Sequence, residues 1–442
     1  MNTIMIRSIR VLPALLLLVA INVGSLLHAQ SYSFRRVVDS STTVPGTSIP
    51  FGNRDVLNIS SPSISGSNVA FGWVNRGDFL EENGSLGTLL QSPVSDRFAL
   101  SGSSHVTGGS AIVRETGGSL TTLVDASVDL PGVVDTIQGF GPTLAVSGDN
   151  VVFTASETGV GGGIYTYIDG VISLVVETGT VTSLTTFTEV TEQHTEQHYK
   201  VDGPSISGDN VAFVAEDEDG LQGLYTHIAE YDGNGNVVGH EIERVLHPHM
   251  SHTGIRNGPG GVIETFAMPS MSGTDLAFYG VDLGGSPGIY AYIDGELETM
   301  ASTFSNVPGG GGVKFSDFGE LSFVNGQAAF MGADANGGKG IYLGPPGALS
   351  GMGPGSVFQV NALPVIQKGD LLDGRIVADL GFSRFGYDGT SVAFSAEFTD
   401  GTAGIYVASM GSAVPEPSTY VMAGMGLVGL SMLVWRRRRR IR

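Results

Sequence analysis

Ser-Gly-Asp-Asn-Val-Val-Phe at 147–153 returns as Ser-Gly-Asp-Asn-Val-Ala-Phe at 207–213, as Ser-Gly-Thr-Asp-Leu-Ala-Phe at 272–278 and as Gly-Thr-Ser-Val-Ala-Phe at 389–394. Looser copies end at Phe71 and Phe330. Five of these phenylalanines are followed twelve residues later by a tyrosine, in the pairs Phe153 and Tyr165, Phe213 and Tyr225, Phe278 and Tyr290, Phe330 and Tyr342, and Phe394 and Tyr406. Two residues before each tyrosine stands a glycine: Gly163, Gly223, Gly288, Gly340 and Gly404. A spacing kept five times marks one supersecondary unit written repeatedly.

Each unit reads as four antiparallel strands. Pro204-Ser205-Ile206-Ser207 is a first strand, Gly208-Asp209-Asn210 a turn, and Val211 to Ala215 a second strand rich in β-branched and aromatic residues. Gly163 to Ile168 is a third strand, Asp169-Gly170 a hairpin turn and Val171 to Val176 a fourth. The second strand is apolar on both faces, Val211 and Phe213 against Ala212 and Val214, so its sheet must be covered on both sides. Six such sheets, 82, 60, 65, 52 and 64 residues apart at their phenylalanines, predict an all-β fold, a six-bladed β-propeller spanning residues 30–409. A pair of β-sandwiches or an open array is the alternative. The last unit stops after its third strand, whereas Phe34-Arg35-Arg36-Val37-Val38 reads as a fourth strand, so the N-terminus is expected to complete the last blade and hide its edge. In the first unit Asn83 replaces the tyrosine, and the third strand is expected only at Ser110 to Arg114. The roughly 30 extra residues at 75–108 read either as a binding loop on the rim or as loop drift.

The two ends carry targeting signals. Arg7 and Arg10, an apolar stretch from Val11 to about Val23 and Ala29 as the last residue before cleavage read as a signal peptide over residues 1–29. At the other end a linker, 410–419, holds Val414-Pro415-Glu416-Pro417, and an uncharged run at 420–435 is a membrane helix, short for a bilayer core of about 30 Å. A basic tail, 436–442, follows with Arg436, Arg437 and Arg438 at its start. Positive charge stays cytoplasmic, which puts the body outside, as the signal peptide does. Pro-Glu-Pro, a short apolar helix and an arginine cluster in that order are similar to the PEP-CTERM sorting tail. The resemblance covers Val414 to Arg442. It implies anchoring in the inner membrane, recognition and removal of the tail by an exosortase, and delivery to the cell envelope, cell surface or extracellular matrix. The repeats themselves resemble propeller domains of other proteins with such tails, a resemblance that supplies no activity.

Eight of the 22 lysines and arginines lie in residues 1–29 and 420–442, which hold no acids, leaving 14 basic against 43 acidic side chains, near −29, in the rest of the chain. Such a surface excludes nucleic acid, whose phosphates demand basic patches. The absence of cysteine excludes disulfides and thiolate chemistry.

Histidines gather in two connections, His194 and His198 before one repeat and His247, His249 and His252 before the next; converging imidazoles suit zinc, while polar loops also collect histidine without a metal. Asp232, Asn234, Asn236 and Glu243 partly match a calcium loop, but Val237 stands where that loop requires its glycine, and Asp/Asn/Gly is also ordinary turn chemistry. Glu157, Asp217, Asp282 and Asp334, each four residues after a repeat phenylalanine, form either a ring of cation ligands or a soluble exterior. No nucleophile elbow, phosphate loop or dinucleotide fingerprint occurs, so no catalytic residue is assigned. The body therefore reads as a non-catalytic surface or matrix protein that binds exopolysaccharide or a matrix protein. The alternatives are a secreted glycan-active enzyme with its site in the propeller channel, and a purely structural matrix component.

Overall fold

The computed structural model describes residues 32–410, apart from segments 52–61, 91–97, 132–136, 190–202, 249–261 and 345–361 and several shorter loop stretches. The expected signal peptide, membrane helix and basic tail, with sorting residues Val414 to Pro417 and Arg436 to Arg438, lie outside the described residues.

The repeat becomes a blade because its two aromatic positions face each other across the central strands. Phe153 pairs with Tyr165, Phe213 with Tyr225, Phe278 with Tyr290, Phe330 with Tyr342 and Phe394 with Tyr406 in antiparallel register. Their rings stack at centroid separations of 5.7–6.0 Å. The glycine two residues before each tyrosine shares its face of the strand. At Gly288 a Cβ would lie 2.8 Å from the Tyr290 ring and at Gly223 2.8 Å from the Tyr225 ring, so the aromatic ring occupies the space a side chain would need.

The all-β propeller holds, and among the described residues it has seven blades rather than six. The described strands form seven four-stranded antiparallel sheets, some with a short additional strand. Blade 1 comprises Ser63–Ser65, Asn68–Trp73, Gly77–Glu82 and Ser85–Leu90; blade 2 comprises Phe98–Ser101, Ser104–Thr107, Ala111–Thr116 and Ser119–Asp125. The stretch read as an insertion thus completes one blade and opens another. In blade 1 the hairpin is shorter, and Phe79, stacked at 5.6 Å, does for Phe71 what tyrosine does elsewhere. In blade 2 the register puts Thr107 opposite Val113 at these positions. Blades 3 to 6 run from Ile137 to Glu177, Ser205 to Leu246, Ile263 to Ser302 and Phe315 to Gln367.

Blade 7 takes Arg375–Gly381, Ser391–Phe398 and Ala403–Met410 from the C-terminal end and Tyr32–Asp39 from the N-terminal end. Ser40 N–H donates to the Ala403 carbonyl at 2.9 Å, and Phe34 meets Phe394 edge-on at 6.3 Å. The expected closure by Phe34 to Val38 is therefore present.

The first strands of successive blades stand side by side and form the inner wall. Serine hydroxyls stitch this wall. Met271 N–H donates to Ser205 Oγ and Phe323 N–H to Ser270 Oγ, both at 2.9 Å and buried. Nearer the rim, Gly208, Gly273 and Asn325 N–H donate to Ser147, Ser207 and Ser272 at 2.8, 2.7 and 3.0 Å. Gly66 N–H reaches Asp388 at 2.8 Å, joining blade 7 to blade 1. The Ser-x-Ser-Gly part of the repeat is thus an inter-blade belt. Between blades the cores are apolar: Val211 and Phe213 enter the cluster toward blade 3, and Ala212 the cluster toward blade 5.

Candidate functional site

The channel is the first place to look for chemistry in a propeller, and here a segment of blade 7 fills it. Residues 382–387 interrupt the first strand between Gly381 and the bridge of Tyr387 to Val392. Arg384 donates through Nη2 to the Pro204 carbonyl of blade 4 at 2.8 Å and to the Pro269 carbonyl of blade 5 at 3.0 Å. Blade 4 lies opposite blade 7 and blade 5 two positions from it, so the guanidinium reaches across the axis. Phe385 packs against the apolar clusters of blades 3 and 4, while its carbonyl accepts the Ile64 N–H at 2.9 Å. Ser383 Oγ donates to the Pro62 carbonyl at 2.7 Å. One short segment of blade 7 thereby touches blades 1, 3, 4 and 5 and occupies the axis with an aromatic ring and a cation.

Of the carboxylates four residues after the repeat phenylalanines, the side chain of Glu157 lies outside the described residues, and Asp217, Asp282 and Asp334 turn inward to their own loops. Asp217 Oδ1 accepts the Asp219 and Leu221 N–H at 3.0 Å each, Asp282 Oδ1 those of Gly284 and Ser286 at 2.9 Å each, and Asp334 Oδ1 those of Asn336 and Gly338 at 2.7 and 2.9 Å. These residues shape the turn between second and third strands, which is the ordinary use of Asp there.

Of the histidines, His194, His198, His249 and His252 lie outside the described residues, as does Asn236. His247 is buried, and its Nε2 lies 2.8 Å from Asp217 Oδ2. Burial pushes the Asp217 carboxyl up, but the Leu221 amide, the His247 ring and the Asp219 amide outweigh it and hold its pKa below the ordinary value. His247 thus pins the end of the fourth strand to the opposite hairpin.

The hairpin register sets Asp232 and Glu243, the two ends of the expected calcium loop, apart. Asp232 accepts the Asn234 N–H at 2.8 Å in the hairpin tip, whereas Glu243 pairs with Thr226 far down the fourth strand. Six residues separate Glu243 from Val237 at the base of the tip, about 20 Å along a strand, too far for one coordination sphere. Among the described residues no three His, Asp or Glu side chains converge as metal ligands.

An unforeseen pair stands on the same hairpin. His227 and His240 stack in parallel at 4.4 Å, brought together by the pairing of Ala229 with His240 and of His227 with Ile242. Burial, with the neighbouring His240, lowers the His227 pKa to about 4. Thirteen residues part the two in sequence, and only the hairpin register, which residue spacing does not print, brings them into contact.

Outside the propeller the chain has a recognised signature. Residues 413–439 match the PEP-CTERM protein-sorting motif. The PEP-CTERM motif implies an exported chain, sorted by exosortase and destined for the cell surface. In sequence, no curated protein matches the chain. Among solved structures, similar backbones include a puromycin-hydrolyzing peptidase of Mycobacterium tuberculosis, at 14% identity and a TM-score of 0.44 over 86% of this chain and 55% of that one. The chain thus spans little more than half the length of that peptidase. The β-propeller domain of the Trilobed protease from Pyrococcus furiosus is similar at 9% identity and a TM-score of 0.44, covering 80% of this chain and 96% of that domain. The WD40 domain of SCAP from fission yeast follows at 12% identity and a TM-score of 0.40, covering 86% and 99%.

Proposed function

We propose that this chain is a non-catalytic surface protein whose acidic propeller serves, after exosortase sorting, as a rigid scaffold binding exopolysaccharide or another matrix component. The observation that carries this reading is the filled axis. A glycan-active enzyme with its site in the channel needs carboxylates converging on a cleft that a sugar can enter, and the axis instead holds Arg384 and Phe385. Ligand contacts then fall to the turn-bearing faces and outer strands, where a closed ring supplies rigidity. The acidic surface suits neutral glycans directly and acidic ones through divalent cations.

Cosedimentation of the processed protein with the host's own extracellular polysaccharide, with and without a chelator, tests this. Saturable binding is expected. Absence of binding together with release of reducing ends from the polysaccharide would refute the non-catalytic reading.

A further inference from the structure

The outer hairpin of blade 4 is longer than those of its neighbours. Its strands, Gln222–Tyr231 and Val237–Leu246, have ten residues each, against eight and seven for Gly161–Ile168 and Val171–Glu177 in blade 3 and seven for both Pro287–Ile293 and Glu296–Ser302 in blade 5. Counted from the stacked tyrosine, the third strand of blade 3 ends three residues on, at Ile168 after Tyr165, whereas that of blade 4 runs six, from Tyr225 to Tyr231. The extra strand projects about 10 Å beyond blade 3.

Alternation decides what the projecting part carries. Tyr225, His227, Ala229 and Tyr231 share one face of the third strand, and the register sets Arg244, Ile242 and His240 beside the first three. Tyr225 and Ile242 pack with Val152, Ile164 and Val176, so this face looks toward blade 3. Level with the end of blade 3, His227 is half-buried, and burial with the neighbouring His240 lowers its pKa to about 4, which keeps the ring uncharged. Farther out the face opens. His240 is exposed, with one side of its ring resting on His227 at 4.4 Å, and Tyr231 is 53% exposed. The Tyr231 hydroxyl donates to Asp209 Oδ2 at 3.1 Å, and Asp209 Oδ1 in turn accepts the Asn150 Nδ2 of blade 3 at 2.8 Å, so the tyrosine ring is held in place. Isolated aliphatic side chains are as exposed at Val171, Val181, Leu283 and Leu371, so exposure alone marks no site; the projecting part of blade 4 differs in presenting flat rings in fixed positions.

We infer that this projecting face is a sugar-binding platform, on which Tyr231 and His240 stack against successive pyranose rings of a neutral glycan. The inference rests on the reading of the protein as a glycan-binding scaffold and gives that binding a place. A pyranose ring has a face of C–H groups, slightly positive, that packs onto the negative face of an aromatic ring. Tyrosine supplies such area at small cost in conformational entropy, and a ring already held by Asp209 loses less still on binding. Tyr231 sits diagonally from His240 across the hairpin, and neighbours so placed are about 7–8 Å apart, so one chain can cover both. Charge selects the ligand class. Glu230, Asp232 and Glu241 lie around the row, and in a chain with 43 acidic against 22 basic residues they repel an anionic glycan, while their oxygens accept hydroxyl groups from a neutral one. Stacking of this kind needs no metal ion.

The probe is the host's own extracellular polysaccharide, split by anion exchange into neutral and acidic fractions, and cosedimentation of the processed protein reads the affinity. Tyr231→Ala and His240→Ala are each expected to weaken binding to the neutral fraction at least about fivefold. Tyr231→Phe, which keeps the ring, should stay within about twofold of the parent, as should Leu283→Ala, whose side chain is exposed on blade 5. Tyr231 and His240 are exposed, so neither alanine variant should move the urea midpoint, which separates lost contact from lost fold. Parent-level binding by a Tyr231→Ala, His240→Ala double variant overturns the platform and leaves the glycan-binding reading standing. Equal losses in Tyr231→Phe and Tyr231→Ala overturn the stacking. Binding confined to the acidic fraction, or abolished by a chelator, overturns the neutral ligand. No binding to either fraction overturns the platform together with the reading on which it rests.

Discussion

Removing the hydroxyl of Ser270 is the sharpest test of the belt that joins the blades. Ser270 is 7% exposed and accepts the Phe323 N–H of the next blade at 2.9 Å. Ser270→Ala takes away almost no volume but leaves that amide buried without a partner, at a cost of about 1–3 kcal/mol. Ser272, two residues on, accepts the Asn325 N–H at 3.0 Å in an exposed setting, where water takes over the bond, so Ser272→Ala is expected to cost less than about 0.5 kcal/mol. Chemically identical changes on one strand are thus expected to differ several-fold, purely by burial. Ser205→Ala repeats the buried case at the Met271 N–H. Urea unfolding followed by tryptophan fluorescence and circular dichroism reads the midpoints. Equal midpoints for Ser270→Ala and Ser272→Ala would refute the view that buried hydroxyls hold the inner wall.

Gly288→Ala forces a Cβ to 2.8 Å from the Tyr290 ring and should cost about 1–3 kcal/mol by overpacking, whereas in a Tyr290→Ala background most of that cost should vanish; a cost unchanged by the second substitution would locate the glycine's role in the backbone. His227 has its pKa lowered to about 4 in the folded state, so between about pH 6.5 and 4 the unfolded chain binds more protons and stability falls as pH falls. With the ring partly exposed, that loss is about 1–2 kcal/mol, and it should be absent in the His227→Phe variant; equal slopes in unfolding free energy against pH would exclude the stacked pair as the source.

Much of this architecture is written in residue spacing. Twelve residues from phenylalanine to tyrosine is the length of one hairpin plus the return to a facing position, and the stacked rings follow from it. The seventh blade escaped because its facing pair is Thr107 and Val113, which no aromatic landmark flags, and because blade 1 answers Phe71 with Phe79 after eight residues. The wet parts were harder to read. Asp217, Asp282 and Asp334 were visible as a periodic set, yet whether they face solvent or their own turns depends on side-chain direction, which periodicity does not encode. Arg384 was a single cation in a connecting segment, and its reach across the axis exists only once the ring is closed. Glu243 fell away for the converse reason: eleven residues from Asp232 means proximity in a compact loop and distance along an extended strand.

The shared construction of blade 7 also sets a timetable. About 360 residues lie between Asp39 and Ala403, and closing a loop of that length costs about 5 kcal/mol in chain entropy, against very little for a local hairpin. The apolar cluster between blades 7 and 1 joins Val38, Val44, Phe51 and Phe71 to Ala393, Ile405 and Val407, so this part of the core has no partner until the end of the chain arrives. Blades 1 to 6 can assemble in the order in which they emerge from a membrane, while Tyr32–Asp39 waits unpaired for the final strand. For an exported chain the last step of folding therefore coincides with the last step of translocation, and the interval before it is when unpaired strand edges are open to association with a second copy.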